Sequence, residues 1–105
     1  MNDAVERTPE ETDALWARAV RSVLRVEMAR RLSTYSVLAK ELAEIGVEID
    51  ERVLRNKVAR GTFSAIFFFQ CLVAMKSTGI SINGFDFPRK GEPMMYIRGE
   101  TPDDL

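Results

Sequence analysis

The chain has 105 residues, of which 46% are hydrophobic and 30% charged, a composition typical of one soluble globular domain. It has no histidine and a single cysteine, Cys71, which excludes Cys/His zinc sites, histidine-dependent catalytic triads and an intrachain disulfide. The formal net charge of −1 is unevenly distributed, with −4 in residues 1–13, +6 in residues 14–91 and −3 in residues 92–105.

The first 13 residues are acidic and lack an apolar stretch, so they predict a flexible N-terminus rather than a signal peptide. Apolar residues then recur at intervals of three and four over residues 14–31, which predicts an amphipathic helix. We expect Trp16 to lie in the core or at its rim. The predicted stripe consists of Trp16, Val20, Val23, Leu24 and Met28.

Three further helices are predicted, and each follows a residue type that commonly caps a helix N-terminus. The second begins at Thr34 and ends at Gly46, a residue type that often terminates helices. The third follows Asp50 and ends at residue 60, and the fourth runs over residues 64–76. Phe63 and Phe68 flank the start of the fourth helix at the spacing of a hydrophobic staple. The helical domain is thus predicted to span residues 14–78.

Residues 79–105 have a different pattern. Asn83-Gly84 favours a type I′ turn, and Pro88 and Pro93 oppose any further helix. We therefore expect an extended arm or a short β-hairpin followed by an acidic tail.

The third predicted helix has an outer face rich in basic and amide side chains. At about 100° per residue, Leu54 and Val58 share one face and form its core side. The outer residues Arg52, Asn56 and Arg60 fall at about 160°, 200° and 240° from Leu54. Arg and Asn can each form two hydrogen bonds with guanine and adenine edges, respectively, and cations neutralise phosphates. Arg55 and Lys57 flank this face, near 100° and 300°. Solvation alone also produces charged outer faces, so that alternative stays open.

Residues 23–75 resemble the lambda-repressor-like helix-turn-helix fold. TYSVLAKEL resembles its second helix, LRNKVARG its recognition helix, and FSAIFFFQCLVAM the core helix that follows. More narrowly, TYSVLAKELAEIGV, LRNKVARGTFSA and FFFQCL resemble a small bacterial family known as a domain of unknown function. The resemblance implies an all-α domain of four to five helices. The chain departs from the repressor pattern by residues 43–45, which add nearly one turn between Leu42 and Gly46.

These observations predict a bacterial, cytoplasmic DNA-binding protein, a small transcriptional regulator that reads the major groove with residues 50–60. The expected base-reading residues are Arg52, Arg55 and Asn56, and the expected phosphate ligands are Thr34, Tyr35, Lys57 and Arg60. Helix-turn-helix proteins commonly bind DNA as dimers, so we expect a homodimer. Candidate interface residues are Phe67, Phe69, Met95 and Tyr96. Burial in the core or beneath the C-terminal tail is the alternative for the phenylalanines.

Two other functions stay open. The chain can be an adaptor or antitoxin-like module that binds a protein partner without reading DNA, which suits its pI of about 5.5. It can also bind RNA through Arg18, Arg21 and Arg25. We expect no enzymatic activity, cofactor, metal or membrane contact, because phosphate-binding loops are absent and the acids lie mostly in the ends or on helix surfaces. Cys71 is expected to be a buried, unreactive residue.

Overall fold

Four α-helices account for the secondary structure in residues 7–80 and Ile82, the part of the chain that this computed structural model describes. They are α1 (Pro9–Arg30), α2 (Tyr35–Glu44), α3 (Glu51–Arg60) and α4 (Ala65–Ala74). These residues contain no strand, so the all-helical prediction is confirmed for them. The predicted hairpin and acidic tail, with Met95 and Tyr96, lie outside the described residues. None of the described helices has the length and apolar character needed to cross a bilayer.

The first helix starts earlier than the apolar pattern predicts. Thr8 Oγ1 accepts a 3.1 Å hydrogen bond from the Glu11 backbone N–H, and Glu11 Oε1 accepts one of 2.9 Å from the Thr8 N–H. This reciprocal capping box, with Pro9 in the first helical position, fixes the start of α1. Residues 9–13 are therefore helical, whereas the sequence suggested a flexible segment up to residue 13.

The apolar stripe of α1 is buried only in its second half. Val23, Leu24 and Met28 lie in the core, but Trp16 is 43% exposed and Val20 is also exposed. Of the two positions predicted for Trp16, core or rim, the core position is wrong. Trp16 is exposed because α1 is much longer than the other helices. Its 22 residues span about 33 Å, whereas each ten-residue helix spans about 15 Å. The N-terminal turns of α1 therefore extend beyond the helices that cover its other end.

The predicted caps of the other three helices are confirmed. Hydroxyl or carboxylate oxygens of Thr34, Asp50 and Ser64 each accept a hydrogen bond from a backbone N–H of the first turn. Residues 43–44 belong to the last turn of α2, and Ile45 caps it before Gly46 turns the chain at φ 88°. Gly61 ends α3 in the left-handed conformation, at φ 68°.

One apolar core joins all four helices. Leu54 and Val58 of α3 are fully buried, as the helical angles predict, and Phe67 and Cys71 bring α4 into the same cluster. α2 packs against both α3 and α4, and α1 packs against α3. The Phe63 and Phe68 rings stack with centroids 6.1 Å apart, which confirms the predicted staple at the start of α4. The remaining buried members of this cluster are Leu24, Met28, Leu38, Leu42, Ala74 and Met75.

Candidate nucleic-acid interface

The outer face of α3 is held in a fixed orientation by both ends of the helix and by its core side. Asp50 Oδ1 accepts hydrogen bonds of 2.7 Å from the Arg52 N–H and 3.4 Å from the Val53 N–H. Gly61 closes the other end, and Leu54 and Val58 anchor the helix in the core. These contacts oppose rotation of α3 about its own axis, so the side chains on the opposite face keep a fixed direction.

Three side chains predicted for that outer face are exposed: Arg52, Asn56 and Arg60. Within the described part of the chain, none of the three makes a side-chain hydrogen bond or an ion pair. Their guanidinium and amide groups remain available to an external ligand. α3 carries four basic residues and one acid, Glu51, so this surface is strongly positive.

Arg55 lies to one side of this face and contacts the start of α2. Its Nη2 donates a 2.9 Å hydrogen bond to Glu51 Oε2, and its guanidinium carbon lies 5.3 Å from the centroid of the Tyr35 ring. Both members of the ion pair are about half-exposed, so the pair contributes little to stability. The contact with Tyr35 turns Arg55 toward α2, away from Arg52 and Asn56.

Lys57 lies on the other side and contacts α4. Its Nζ lies 4.7 Å from the centroid of the buried Phe67 ring, a cation–π geometry. The side chain is half-buried, unlike those of the outer face. The structure thus places the Lys57 ammonium group against α4, whereas Arg52, Asn56 and Arg60 are exposed.

A shallow groove of about 370 Å³ lies beside the outer face, where the ends of three helices meet. Thr34 and Tyr35 enter it from the start of α2, and Arg55 enters it from α3. Arg25 of α1 adds a second cation, which the sequence had placed only in a candidate RNA-binding stripe. The groove thus joins two predicted phosphate ligands with two arginines. Its other lining residues are Met28, Ala29, Ser33, Ser36 and Glu51.

Val53 is an additional residue of the outer face that the sequence-based prediction did not include. It is exposed, and at about 260° from Leu54 it falls next to Arg60. The helical angles that predict an outer position for Asn56 predict one for Val53 too, so the sequence alone could have identified this residue. A branched apolar side chain among polar ones gives the face a group that can contact a thymine methyl.

The other predicted roles are distributed over separate surfaces. Of the two phenylalanines predicted for a dimer interface, Phe67 has a side chain that is 5% exposed and packs in the core, whereas Phe69 is 67% exposed. The prediction that Phe67 contacts a second chain is therefore wrong, because its side chain is buried in the core. Cys71 is fully buried, as predicted. Among the residues described, no cluster of three or more Cys, Asp or Glu side chains is suited to holding a metal ion.

A protein family described as a domain of unknown function, DUF6471, matches residues 16–80. The chain belongs to this family. The match covers the last two-thirds of α1 and all of α2, α3 and α4. It thus includes the outer face of α3 and every residue that lines the groove beside it. No curated protein and no solved structure matches the chain.

Proposed function

We propose that this DUF6471 chain binds duplex DNA in a sequence-specific manner and acts as a small transcriptional regulator. The observation that carries the proposal is the outer face of α3, where Arg52, Asn56 and Arg60 are exposed and make no side-chain bond within the described chain. A helix fits the major groove, and these side-chain types can form two hydrogen bonds with base edges. In the proposal, α3 enters the groove and Arg52 and Asn56 read bases, while Arg60 binds phosphate.

The groove beside α3 suits the DNA backbone. Thr34, Tyr35 and Arg55 lie there together with Arg25, so hydroxyl and guanidinium donors converge within one concavity. Phosphate contacts of this kind fix the register of a protein on DNA. We therefore assign Arg55 to phosphate rather than to a base, because it lies against Tyr35 and not on the outer face.

The packing of α2 against α3 supports the finer proposal of a lambda-repressor-like helix-turn-helix unit. Six residues, 45–50, connect the two helices, which is longer than the usual turn of three or four residues. In this proposal residues 43–45 lengthen the end of α2 and its C-cap by nearly one turn, and α3 still presents its outer face to DNA.

The test is selection of bound sequences from a randomised duplex library, followed by anisotropy titrations of the selected site at several salt concentrations. Replacing Arg52, Asn56 and Arg60 together by Ala is expected to abolish selection of a motif. It is also expected to lower the slope of log K against log salt by about 0.9 for each phosphate that the variant no longer neutralises. Lys40→Ala, an exposed cation on α2, is the matched control and keeps the motif. Recovery of the same motif by the triple variant contradicts the proposal.

A second candidate function is a protein-interaction module that keeps these helices without reading DNA. The overall pI of about 5.5 favours it, since strong DNA-binding domains are usually basic. Purification from cells at low salt separates the two candidates. Nucleic acid that remains bound supports the first, and a stoichiometric protein partner without nucleic acid supports the second.

A further inference from the structure

The fourth helix is apolar on all sides, but among the residues that the structure describes only one side of it is fully covered. Residues 61–75 contain no charged residue, and Gln70 is the one amide among them. Phe67, Cys71 and Ala74 face the core and are almost fully buried. A helix that is apolar all round is normally buried all round. The described residues therefore leave one apolar face of α4 exposed to solvent, although the composition of this helix is that of a buried element.

The uncovered face consists of Ile66, Phe69 and Val73, here called the α4 face. Their exposures are 72%, 67% and 46%, respectively. At about 100° per residue the three side chains fall within about 60° of one another, so they form one row about 10 Å long. Single exposed apolar residues are common on protein surfaces, but a contiguous row of this kind marks an interaction site.

Charge indicates what covers the α4 face. A charged partner would find no counter-ion on this helix, since residues 61–75 have none. The other three helices carry Arg, Lys, Glu and Asp beside their exposed apolar residues, so α4 differs from them in having no charged residue. A matching surface must be uncharged and apolar, and a second copy of the chain supplies one in the same face.

The spacing of the row suits a two-fold axis. Phe69 lies near its middle, three residues after Ile66 and four residues before Val73. If two α4 helices cross antiparallel at Phe69, Ile66 of one copy lies opposite Val73 of the other. Such an arrangement is isologous, because both copies use the same patch: Ile66 meets Val73, Val73 meets Ile66, and Phe69 meets Phe69.

We propose that the chain forms a homodimer in which the α4 face of one copy packs on the α4 face of the other. The interface is centred on Phe69. It excludes Phe67, which lies in the core and against Lys57. This proposal depends on the apolar row alone, so it holds or fails independently of DNA binding.

Sedimentation equilibrium of the full chain over a concentration series tests the proposal. The wild type is expected to have the mass of two copies, and Phe69→Glu that of one. Leu32→Glu is the matched control, because Leu32 is a more exposed apolar residue that lies between α1 and α2 and not on α4, and this variant remains a dimer. Circular dichroism confirms that each variant keeps its helices. A monomeric wild type, or a Phe69→Glu variant that still dimerises, overturns the proposal.

Cross-linking tests the two-fold geometry directly. Phe69→Cys is expected to form a disulfide-linked dimer with a mild oxidant, since the two residues 69 meet at the axis. Leu32→Cys is expected to stay uncross-linked, and the buried Cys71 gives little background. A dimer that cross-links equally well through residue 32 contradicts the α4 interface.

Discussion

Ser77 Oγ donates a 2.7 Å hydrogen bond to Glu27 Oε2, a contact that joins α1 to the segment after α4 across 50 residues of sequence. The Glu27 side chain is almost fully buried, and Arg31 Nε lies 3.4 Å from the same oxygen. Arg31 Nη2 in turn donates a 2.6 Å hydrogen bond to the Lys76 carbonyl oxygen. A buried carboxylate is stable only when it is both paired and hydrogen-bonded, so these contacts hold the two chain segments together.

Replacing Ser77 by Ala is expected to destabilise the fold by about 1–3 kcal/mol, because it removes a donor from a buried carboxylate. The free energy of unfolding in urea measures the effect. Ser36→Ala, at an exposed position of α2, is the control and is expected to change stability by less than about 0.5 kcal/mol. Equal effects of the two substitutions would mean that the Glu27–Ser77 bond contributes nothing.

Gly61 is required by a close approach as well as by its backbone angle. A Cβ at this position would collide with the Ala17 carbonyl oxygen of α1. Gly61→Ala is therefore expected to force α1 away from the end of α3 and to cost more than about 2 kcal/mol. Gly46→Ala is the matched control, since Gly46 also has a positive φ but no atom near its missing Cβ. Its cost is expected to be about 1 kcal/mol, from backbone strain alone. Thermal unfolding that ranks the two variants equally contradicts the role of the α1 contact.

Local rules account for what could be predicted from the sequence. The caps Thr34, Asp50 and Ser64 act on their own first turns, and the exposure of Asn56 follows from helical periodicity. The start of α1 was also predictable, because Thr8 and Glu11 have the spacing of a capping box. Contacts between helices were not predictable in the same way.

The exposure of Trp16 depends on where three short helices end beside a long one. Arg55 lies on Tyr35, and Lys57 lies on Phe67, only because of how α3 packs between its neighbours. The choice between Phe67 and Phe69 as the buried ring depends likewise on the rotation of α4, which three consecutive phenylalanines do not encode. The sequence pattern located the candidate surface on α3, and packing decided which of its cations remain free.

Leu32 has a left-handed backbone, with φ 56°, and its side chain is 87% exposed. This conformation costs a residue with a Cβ about 1–2 kcal/mol, whereas glycine adopts it readily. Leu32→Gly is therefore expected to stabilise the fold by up to about 1 kcal/mol after the greater chain entropy of glycine is subtracted. Leu32→Ala keeps the Cβ and is expected to leave stability nearly unchanged. A urea midpoint that rises equally in both variants would assign the gain to loss of the exposed side chain instead.

Burial raises the pKa of the Cys71 thiol from 9.0 to about 12, and the nearby Lys57 charge opposes the shift only in part. The folded chain therefore keeps the thiol neutral, while the unfolded chain ionises it above about pH 9. The stability contributed by this group is complete below pH 9 and is lost as the pH rises toward 12. At pH 8, reaction with a thiol reagent is expected to be slow and to accelerate in urea. Cys71→Ala, compared with the wild type, is expected to lose less stability between these pH values. Rapid labelling of the native chain contradicts the buried thiol.

Glu51 is the one acid of α3, and its carboxylate lies 2.9 Å from Arg55 in the groove proposed for phosphate. It competes with a phosphate for the same guanidinium. Glu51→Gln keeps the size of the side chain and frees Arg55, so the affinity for the selected duplex is expected to rise about two- to five-fold, the equivalent of an exposed ion pair. The salt dependence is expected to steepen at the same time, since one more cation contacts the backbone. Glu44→Gln, on α2 and away from this groove, removes the same charge and controls for a general electrostatic effect. If anisotropy titrations give the same gain in duplex affinity for both variants, Arg55 is not a phosphate ligand. In that case α3 contacts DNA, and the groove beside it does not.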